Sequence, residues 1–351
     1  MEEGRTNSQL RLNYKAIIFL LFFIIGAYLL IPRLVDIEEA LRLILRINKG
    51  YLLLALAAEI ISYLGAAGLM GVILSRLGHR IRFWDRFRLG SIAAFAIHFF
   101  PLGSFGEGTV DFYFLSRRQV GGGSILLMFV LRMIISYSAF LGLFFLALVL
   151  VPTYPHLPFS PKVISFFLMA VIIWGIFYMI HLYWHKEKFH LLWQKYLHFI
   201  NRTLAKVGGK AIPAEKIEEL FEDIYKGIGL FFGKNRTSVF GGLTALVYWL
   251  GDIFCFYFVF LSFGYKIGFG VLLFGYSVAT LAGLVSFIPG GLGVAEGTMG
   301  LVYNSLGVPL SLALMSILVF RFFSFWIWIP FGLYSFLSLK RRTKSQQIRA
   351  S

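Results

Sequence analysis

One proline and three glycines interrupt a long apolar stretch near residue 290, and this break constrains the fold more than any other feature. The stretch Phe287–Gly300 contains Pro289, Gly290, Gly291 and Gly293. Proline removes a backbone donor and glycine is the poorest ordinary helix former, so a continuous helix is not expected. In hydrocarbon, a broken backbone is tolerated only where it is buried in protein or lines a wet cavity. The break therefore predicts a site rather than a connecting loop.

The composition indicates an all-α polytopic membrane protein. Hydrophobic residues make up 58% of the chain and charged residues only 14%, and the mean hydropathy is +0.78. The net charge of +16 comes from basic residues at the ends of apolar segments. This placement is typical of anchoring to an anionic leaflet, and it argues against nucleic-acid binding. The single cysteine, Cys255, excludes an intramolecular disulfide.

A second interruption lies earlier in the chain and repeats the pattern. Each copy follows a similar apolar run, contains Glu-Gly-Thr, and has an arginine in an apolar segment 25 residues after the glutamate. Upstream, each copy also has a lone acid in an apolar segment, Glu59 and Asp252, as a fourth matched feature. Such duplicated broken helices are typical of secondary transporters that bind substrate near the bilayer midplane. The predicted break positions are Pro101, Gly103, Gly106 and Gly108 in the first copy, and Pro289, Gly290, Gly291, Gly293 and Gly297 in the second.

The repeat places ionisable side chains inside apolar segments. A charge at the bilayer centre costs about 2.5–3.5 kcal/mol even on the membrane-insertion scale, which gives the lowest values. We therefore expect these groups to be paired or to line a water-filled path. Two interpretations stay open: a polar substrate path, or buried ion pairs that lock each hairpin to a span. The candidate path residues are Glu107, Arg132, Glu296, Arg321, Asp111, Glu59 and Asp252.

Hydropathy predicts six full spans and two re-entrant helical hairpins. A hairpin that enters and leaves on one side keeps all basic segments on the cytoplasmic face, as the positive-inside rule requires. With this topology the two halves are inverted copies. The predicted spans are residues 16–34, 51–74, 124–151, 162–184, 237–263 and 309–339, and the hairpins are residues 89–115 and 268–307.

The chain is expected to form a single membrane domain, residues 16–339, with both termini cytoplasmic. Its repeat halves are residues 51–151 and 237–339, and residues 185–236 are expected to form a basic amphipathic cytoplasmic segment. A polar tail (1–15) and a basic tail (340–351) flank the domain. The predicted location is the cell membrane.

Inversion has a mechanistic consequence, because the two hairpins would enter from opposite leaflets and bring their tips together near the midplane. The outgoing arms would begin near Gly108 and Gly297, with unpaired backbone donors that favour anions such as a phosphate. Arg132 and Arg321 could then neutralise the phosphate. The two repeat glutamates would face an amine, a proton or a partner arginine.

At these residues the chain resembles the lysylphosphatidylglycerol synthase transmembrane (flippase-like) family, over about residues 16–340. Its most specific part is Pro289-Gly-Gly-Leu-Gly293 with Glu296-Gly297, followed by Gly307-Val-Pro309. The first copy, Pro101–Gly108, is looser. The resemblance implies movement of a phospholipid or lipid-linked head group between leaflets. We expect no aminoacyl-transferase domain, and hence a transporter rather than an enzyme.

Two alternatives remain: a small-solute or ion transporter, and a non-transporting membrane subunit of a lipid- or glycan-modifying system. The expected partners are membrane lipids, namely anionic or aminoacylated phospholipid or a lipid-linked glycan, and a lipid-modifying enzyme. His181 and His185 have the spacing of metal ligands, but Tyr183 and Trp184 beside them favour an interfacial aromatic belt. We expect no metal and no cofactor.

Overall fold

In a computed structural model of the protein, residues 47–99, 104–151, 235–286 and 288–350 are described, with single positions at 45 and between 152 and 234. The regular structure of this part of the chain is helical throughout. In chain order the helices are α1 (Lys49–Arg76), α2 (Phe83–Phe99), α3 (Ser104–Ser116), α4 (Gly122–Leu150), α5 (Asn235–Ser262), α6 (Phe269–Val285), α7 (Val294–Ser305), α8 (Leu310–Arg321) and α9 (Trp328–Ala350).

Four segments of the described chain are long and apolar enough to cross a membrane. They contain 26 to 30 residues, which at about 1.5 Å per residue exceeds the ~30 Å hydrocarbon core. The chain is thus an all-α multi-pass membrane protein. The segments are Lys49–Arg76, Gly122–Leu150, Thr237–Ser262 and Leu310–Leu339, and they coincide with the spans predicted at 51–74, 124–151, 237–263 and 309–339.

The other predicted elements are described only in part. The expected spans at 16–34 and 162–184, the cytoplasmic segment 185–236 and the first hairpin corner at 100–103 lie outside the continuous described residues. In the hairpin regions, α2 contacts α3 and α6 contacts α7. These helices have 12 to 17 residues each, so they are shorter than the four long segments.

The last long segment is not a regular α-helix along its whole length. A π-helical segment, Phe322–Trp326, follows Arg321 directly and separates α8 from α9. Within it the N–H of Ile327 donates to the carbonyl of Phe322 over 3.0 Å, which is the wider i→i+5 bond. The segment leads into Trp328, whose ring stacks on Tyr63 of α1 with centroids 3.7 Å apart.

The most extensive helix contact in the described chain joins α1 and α5. The two helices cross at a pair of glycines. A Cβ built on Gly65 would lie 2.6 Å from the backbone nitrogen of Tyr248, and one on Gly251 would lie 2.6 Å from the backbone nitrogen of Ser62. Both distances are below any real van der Waals contact, so only glycine permits this approach. Small residues that bring backbones together are the usual means of packing helices in lipid.

An aromatic cluster fills one side of this crossing. Its rings are in contact, for example Phe256 and Phe320 with centroids 4.4 Å apart. The ring of Tyr303 also occupies the space over Gly275, where a Cβ would overlap it. This side of the molecule is therefore closed by packed side chains. The cluster consists of Phe256, Phe260, Tyr303 and Phe320, all at most 1% exposed.

We predict that Gly65→Ala and Gly251→Ala each lower the thermal stability of the detergent-solubilised protein. Overpacking of a close contact costs about 1–3 kcal/mol, more than the ~1 kcal/mol that alanine gains over glycine in a helix. Gly242→Ala is the matched control, because a Cβ on Gly242 of α5 meets nothing within 4 Å. Unfolding midpoints measured side by side test this. Equal midpoints for the three variants would contradict the close crossing.

Candidate functional site

The break between α6 and α7 is a short turn that depends on glycine. A 3₁₀ turn, Pro289–Gly291, connects the helices, and three glycines there have positive φ: Gly290 at 63°, Gly291 at 63° and Gly293 at 83°. Side-chain-bearing residues rarely adopt this region. A Cβ on Gly291 would also lie 2.8 Å from the Cα of Gly283 on α6. The turn thus brings the backbones of the two helix ends together.

Glu296 lies in the first turn of α7 and joins the turn to the last long segment. One carboxylate oxygen, Oε2, accepts the N–H of Gly293 over 2.6 Å, which caps the helix N-terminus. The other, Oε1, forms an ion pair of 2.5 Å with Nε of Arg321. The same side chain therefore holds the turn and fixes Arg321 next to the π-helical segment. Gly297 follows inside α7, beyond the break.

Helix α3, in the region of the first predicted hairpin, makes a similar charged contact. Nη2 of Arg132, on α4, lies 2.9 Å from Oε1 of Glu107 and 2.9 Å from Oδ2 of Asp111, both on α3. The two acids are four residues apart and so lie on one helix face. Asp111 is fully buried, whereas the side chain of Glu107 is 22% exposed. Arg132 thus meets two carboxylates.

The predicted break positions of the first copy are placed differently. Gly106 and Gly108 lie inside α3, which begins at Ser104, so the chain is already helical at both glycines. Pro101 and Gly103 lie outside the described residues.

A cavity of about 540 Å³ is lined by residues of α1 to α8 and brings several predicted site residues together. The backbone turn at Gly290 and Gly291 forms part of its wall. Asp111 and Glu296 are not part of the lining, and they contact the cavity arginines from behind. The charged lining residues are Glu59, Arg86, Glu107, Arg132, Asp252 and Arg321.

Two further acids meet across the α1–α5 crossing. The side chains of Glu59 on α1 and Asp252 on α5 contact each other, and Glu59 is only 2% exposed. The hydroxyl of Tyr276, on α6, donates a hydrogen bond to Oδ2 of Asp252. The contact places three helices around one acidic group at the cavity wall.

Sequence reasoning missed several polar residues of the cavity, although a signal for some of them was present. Tyr63 follows Glu59 by four residues and Tyr248 precedes Asp252 by four, so each tyrosine shares a helix face with an acid. The sequence gives no comparable signal for Arg86, which belongs to the basic stretch Arg76–Arg88 and, from the first turn of α2, lines the cavity.

His181 and His185 are in contact in the described chain, with ring centroids 4.1 Å apart. The ring of His185 contacts the carbonyl of His181 through Nδ1 over 2.9 Å. Among the residues that the structure describes, no three His, Cys, Asp or Glu side chains are grouped closely enough to hold a metal ion.

The chain matches a known protein family over most of its length. A family model described as the lysylphosphatidylglycerol synthase TM region matches residues 16–332. The chain belongs to this family. The matched region contains both Glu–Arg ion pairs, the turn at Pro289–Gly291 and every described residue that lines the cavity.

Curated relatives are UPF0104 membrane proteins of archaea. One from Methanothermobacter thermautotrophicus is 31% identical over 199 residues, 54% of this chain and 55% of the relative. One from Pyrococcus horikoshii is 31% identical over 177 residues, 49% and 52% of the two chains. The chain thus spans about half the length of these two relatives. A third, from Methanocaldococcus jannaschii, is 22% identical over 92% of this chain and 93% of the relative.

We predict that the two carboxylates on Arg132 differ in what they contribute. Asp111→Asn should lower the unfolding midpoint more than Glu107→Gln, because Asp111 is fully buried while Glu107 lines the cavity. The double variant leaves Arg132 without a counter-charge, and breaking a buried pair in this way costs about 3–5 kcal/mol. Thermal unfolding of the three variants measures the order. A midpoint for Asp111→Asn equal to that of the wild type would contradict it.

Proposed function

We propose that this chain is a transporter of the cell membrane, not an enzyme, and that it moves a phospholipid or a lipid-linked head group between leaflets. The observation that carries the proposal is the central cavity, whose wall includes three arginines and three acids. It lies among helices long enough to cross a membrane. Charges are expensive at this depth, and where they occur they mark the paths of ions and substrates.

An inverted repeat with two re-entrant hairpins is part of this proposal, and the α1–α5 crossing supports it. Gly65 and Ser62 stand 186 positions before Gly251 and Tyr248, and each glycine packs against the backbone of the other helix at the same distance, 2.6 Å. A shift of 186 residues converts each of these two contacts into the other. A two-fold axis through the crossing produces this exchange.

The two ion pairs extend the relation. Glu107 and Arg132 stand 189 positions before Glu296 and Arg321. Each glutamate forms an ion pair with the arginine of its own half. The difference in residue number between matching positions of the two halves is 186 at the α1–α5 crossing and 189 at the ion pairs. The second half therefore has three extra residues between these points, in or near its hairpin. The acids Glu59 and Asp252 are separated by 193 positions, so they are not repeat partners and meet by contact across the axis.

The six-span topology completes this proposal. Spans at 16–34 and 162–184 added to the four described segments bring both termini and the basic segments to the cytoplasmic side, in line with the positive-inside rule. Each hairpin would then enter the bilayer with one arm and return to the same side with the other. Its arms of 12 to 17 residues are shorter than the ~20 residues that a crossing needs.

The cavity is asymmetric, which fits one end of an alternating-access cycle. Along α1 the lining reaches Met70, and it continues to Arg86 on α2. The residue 186 positions after Met70 is Phe256, which packs in the aromatic cluster and is not part of the lining. The side of the crossing at Met70 is therefore open to the cavity, whereas the repeat-related side at Phe256 is filled by aromatic side chains. Exchange between two such arrangements would expose the cavity to each leaflet in turn.

A lipid fits the surroundings of the cavity better than a free solute does. The end of α6 forms part of the wall, and its apolar residues Leu284 and Val285 are 50% and 63% exposed. Leu284 itself lines the cavity. An apolar surface beside a charged cavity suits a molecule with acyl chains and a polar head group. Membrane lipids are therefore the proposed partners, together with an enzyme that makes or modifies them.

Lipid movement in reconstituted liposomes tests the proposal. Liposomes carrying head-group-labelled phosphatidylglycerol would be treated with a membrane-impermeant reductant, and the protected fraction measures exchange between leaflets. We expect the wild-type chain to accelerate exchange. Arg321→Gln should reduce the rate about tenfold or more because it leaves Glu296 without its counter-charge, and Glu107→Gln should do so because it removes a charged group from the cavity wall. Arg118→Gln is the control, since Arg118 pairs with Asp85 away from the cavity.

The outcomes separate the candidate functions. No exchange by the wild-type protein, or equal exchange by all variants, would contradict the translocase. Uptake of a small solute or ion by the same liposomes, without lipid exchange, would favour the solute transporter. Absence of both, together with co-purification of a lipid-modifying enzyme that is lost in Arg321→Gln, would favour the supporting subunit.

A further inference from the structure

The three cavity arginines differ in their partners. Arg132 contacts two carboxylates at 2.9 Å and Arg321 contacts one at 2.5 Å. Arg86 forms no such ion pair with any residue that the structure describes. Both repeat arginines are thus already neutralised by the protein, and the cation with capacity for an external anion is Arg86.

The surroundings of Arg86 leave most of its hydrogen-bond donors unused. A guanidinium has five N–H donors. Nη1 of Arg86 donates to the carbonyl of Ala67 over 3.2 Å, and Nε is buried without a hydrogen-bond partner among the described residues. Its Cζ lies 5.4 Å from the ring centre of Phe83. The group is held in place at one edge while its charge remains uncompensated.

Gly71 makes the space in which this guanidinium lies. A Cβ built on Gly71 would overlap Nη1 of Arg86, so the absence of a side chain at this position lets Arg86 rest against α1. Ala67, the hydrogen-bond acceptor, lies one turn earlier on the same helix. Arg86 is therefore seated in a groove on α1, and its position depends on a residue that carries no charge.

The neighbours of Arg86 are of the kind found near lipid head groups. It lies three residues after the start of α2, beside Phe83 and Trp84, which are 38% and 66% exposed. Exposed aromatic residues of this kind are typical of the membrane–water interface. The connection before α2 adds Arg80 and Arg82, which raises the local concentration of anions.

We propose that Arg86, seated against Gly71, is the anion-binding residue at the cavity entrance and that it holds the phosphate group of a lipid head group. This assignment rests on the proposed function and names its point of substrate capture. A guanidinium matches a phosphate through two parallel N–H···O bonds, whereas a lysine ammonium offers a point charge. Arg132 and Arg321 then shape the cavity, and Arg86 recognises the ligand.

Binding of short-chain lipids to the purified full-length chain tests the assignment without transport. The probe is dihexanoyl phosphatidylglycerol, measured by calorimetry, and dihexanoylglycerol serves as the analogue without phosphate. We expect Arg86→Gln to weaken binding of the phospholipid about tenfold or more, and Arg86→Lys to lie between. Neither change should affect the analogue. Arg88→Gln is the control, because Arg88 is two residues away and pairs with Asp85 over 3.9 Å.

Gly71→Ala provides a second variant that leaves the arginine in place. We expect it to weaken phospholipid binding as well, because the added methyl group displaces the guanidinium from its groove. Gly242→Ala, which meets nothing within 4 Å, should bind as the wild type does. Unfolding midpoints of all variants identify any that fail to fold.

The results distinguish this assignment from the proposed function. Unchanged phospholipid affinity in folded Arg86→Gln and Arg86→Lys would overturn the assignment, whether or not the wild type exchanges lipid between leaflets. Equal affinity for inorganic phosphate and for the phospholipid, both lost in Arg86→Gln, would make the site one for a free anion and overturn the lipid part. Phospholipid-specific loss with normal wild-type exchange would support both.

Discussion

Carboxylate–guanidinium pairing inside the apolar part of the molecule is the interaction on which the remaining structure depends. Glu296 binds Arg321 with one oxygen and the N–H of Gly293 with the other, so a single side chain fixes both the corner of a broken helix and the neighbouring long segment. Arg132 of α4 is held to α3 through two acids. Without these pairs, a helix break and an isolated charge would both be too costly in hydrocarbon.

The pairing explains why structural and functional interpretations of these residues are compatible. Arg321 and Arg132 are paired with carboxylates and still line the cavity, so they give it polarity without an uncompensated cation. The acids behind them, Asp111 and Glu296, carry no exposed surface of consequence. The cavity cation that forms no ion pair with a described residue lies elsewhere, at Arg86 on α2. Structure and recognition are therefore divided among different residues.

Much of the fold was predictable from the sequence, because four apolar segments and a glycine-rich break are strong local signals. The Glu–Arg spacing of 25 residues also pointed to the two pairs that the structure contains. The position of the Arg86 guanidinium was not predictable, since it depends on the space left by Gly71 on another helix. The contact between Glu59 and Asp252 was missed for the same reason: it forms across a crossing, and no separation along the chain encodes it.

The π-helical segment after Arg321 has a consequence for motion. A π turn holds one residue more than an α turn, and one residue corresponds to a rotation of about 100° around the helix axis. If Phe322–Trp326 rewound into ordinary α geometry, everything beyond it would swivel by that amount while Arg321 stayed clamped to Glu296. Trp328 would then leave the ring of Tyr63. The π-helical segment is thus a point about which the end of the last long segment can rotate. It lies between the Glu296–Arg321 ion pair and the stacked rings of Tyr63 and Trp328.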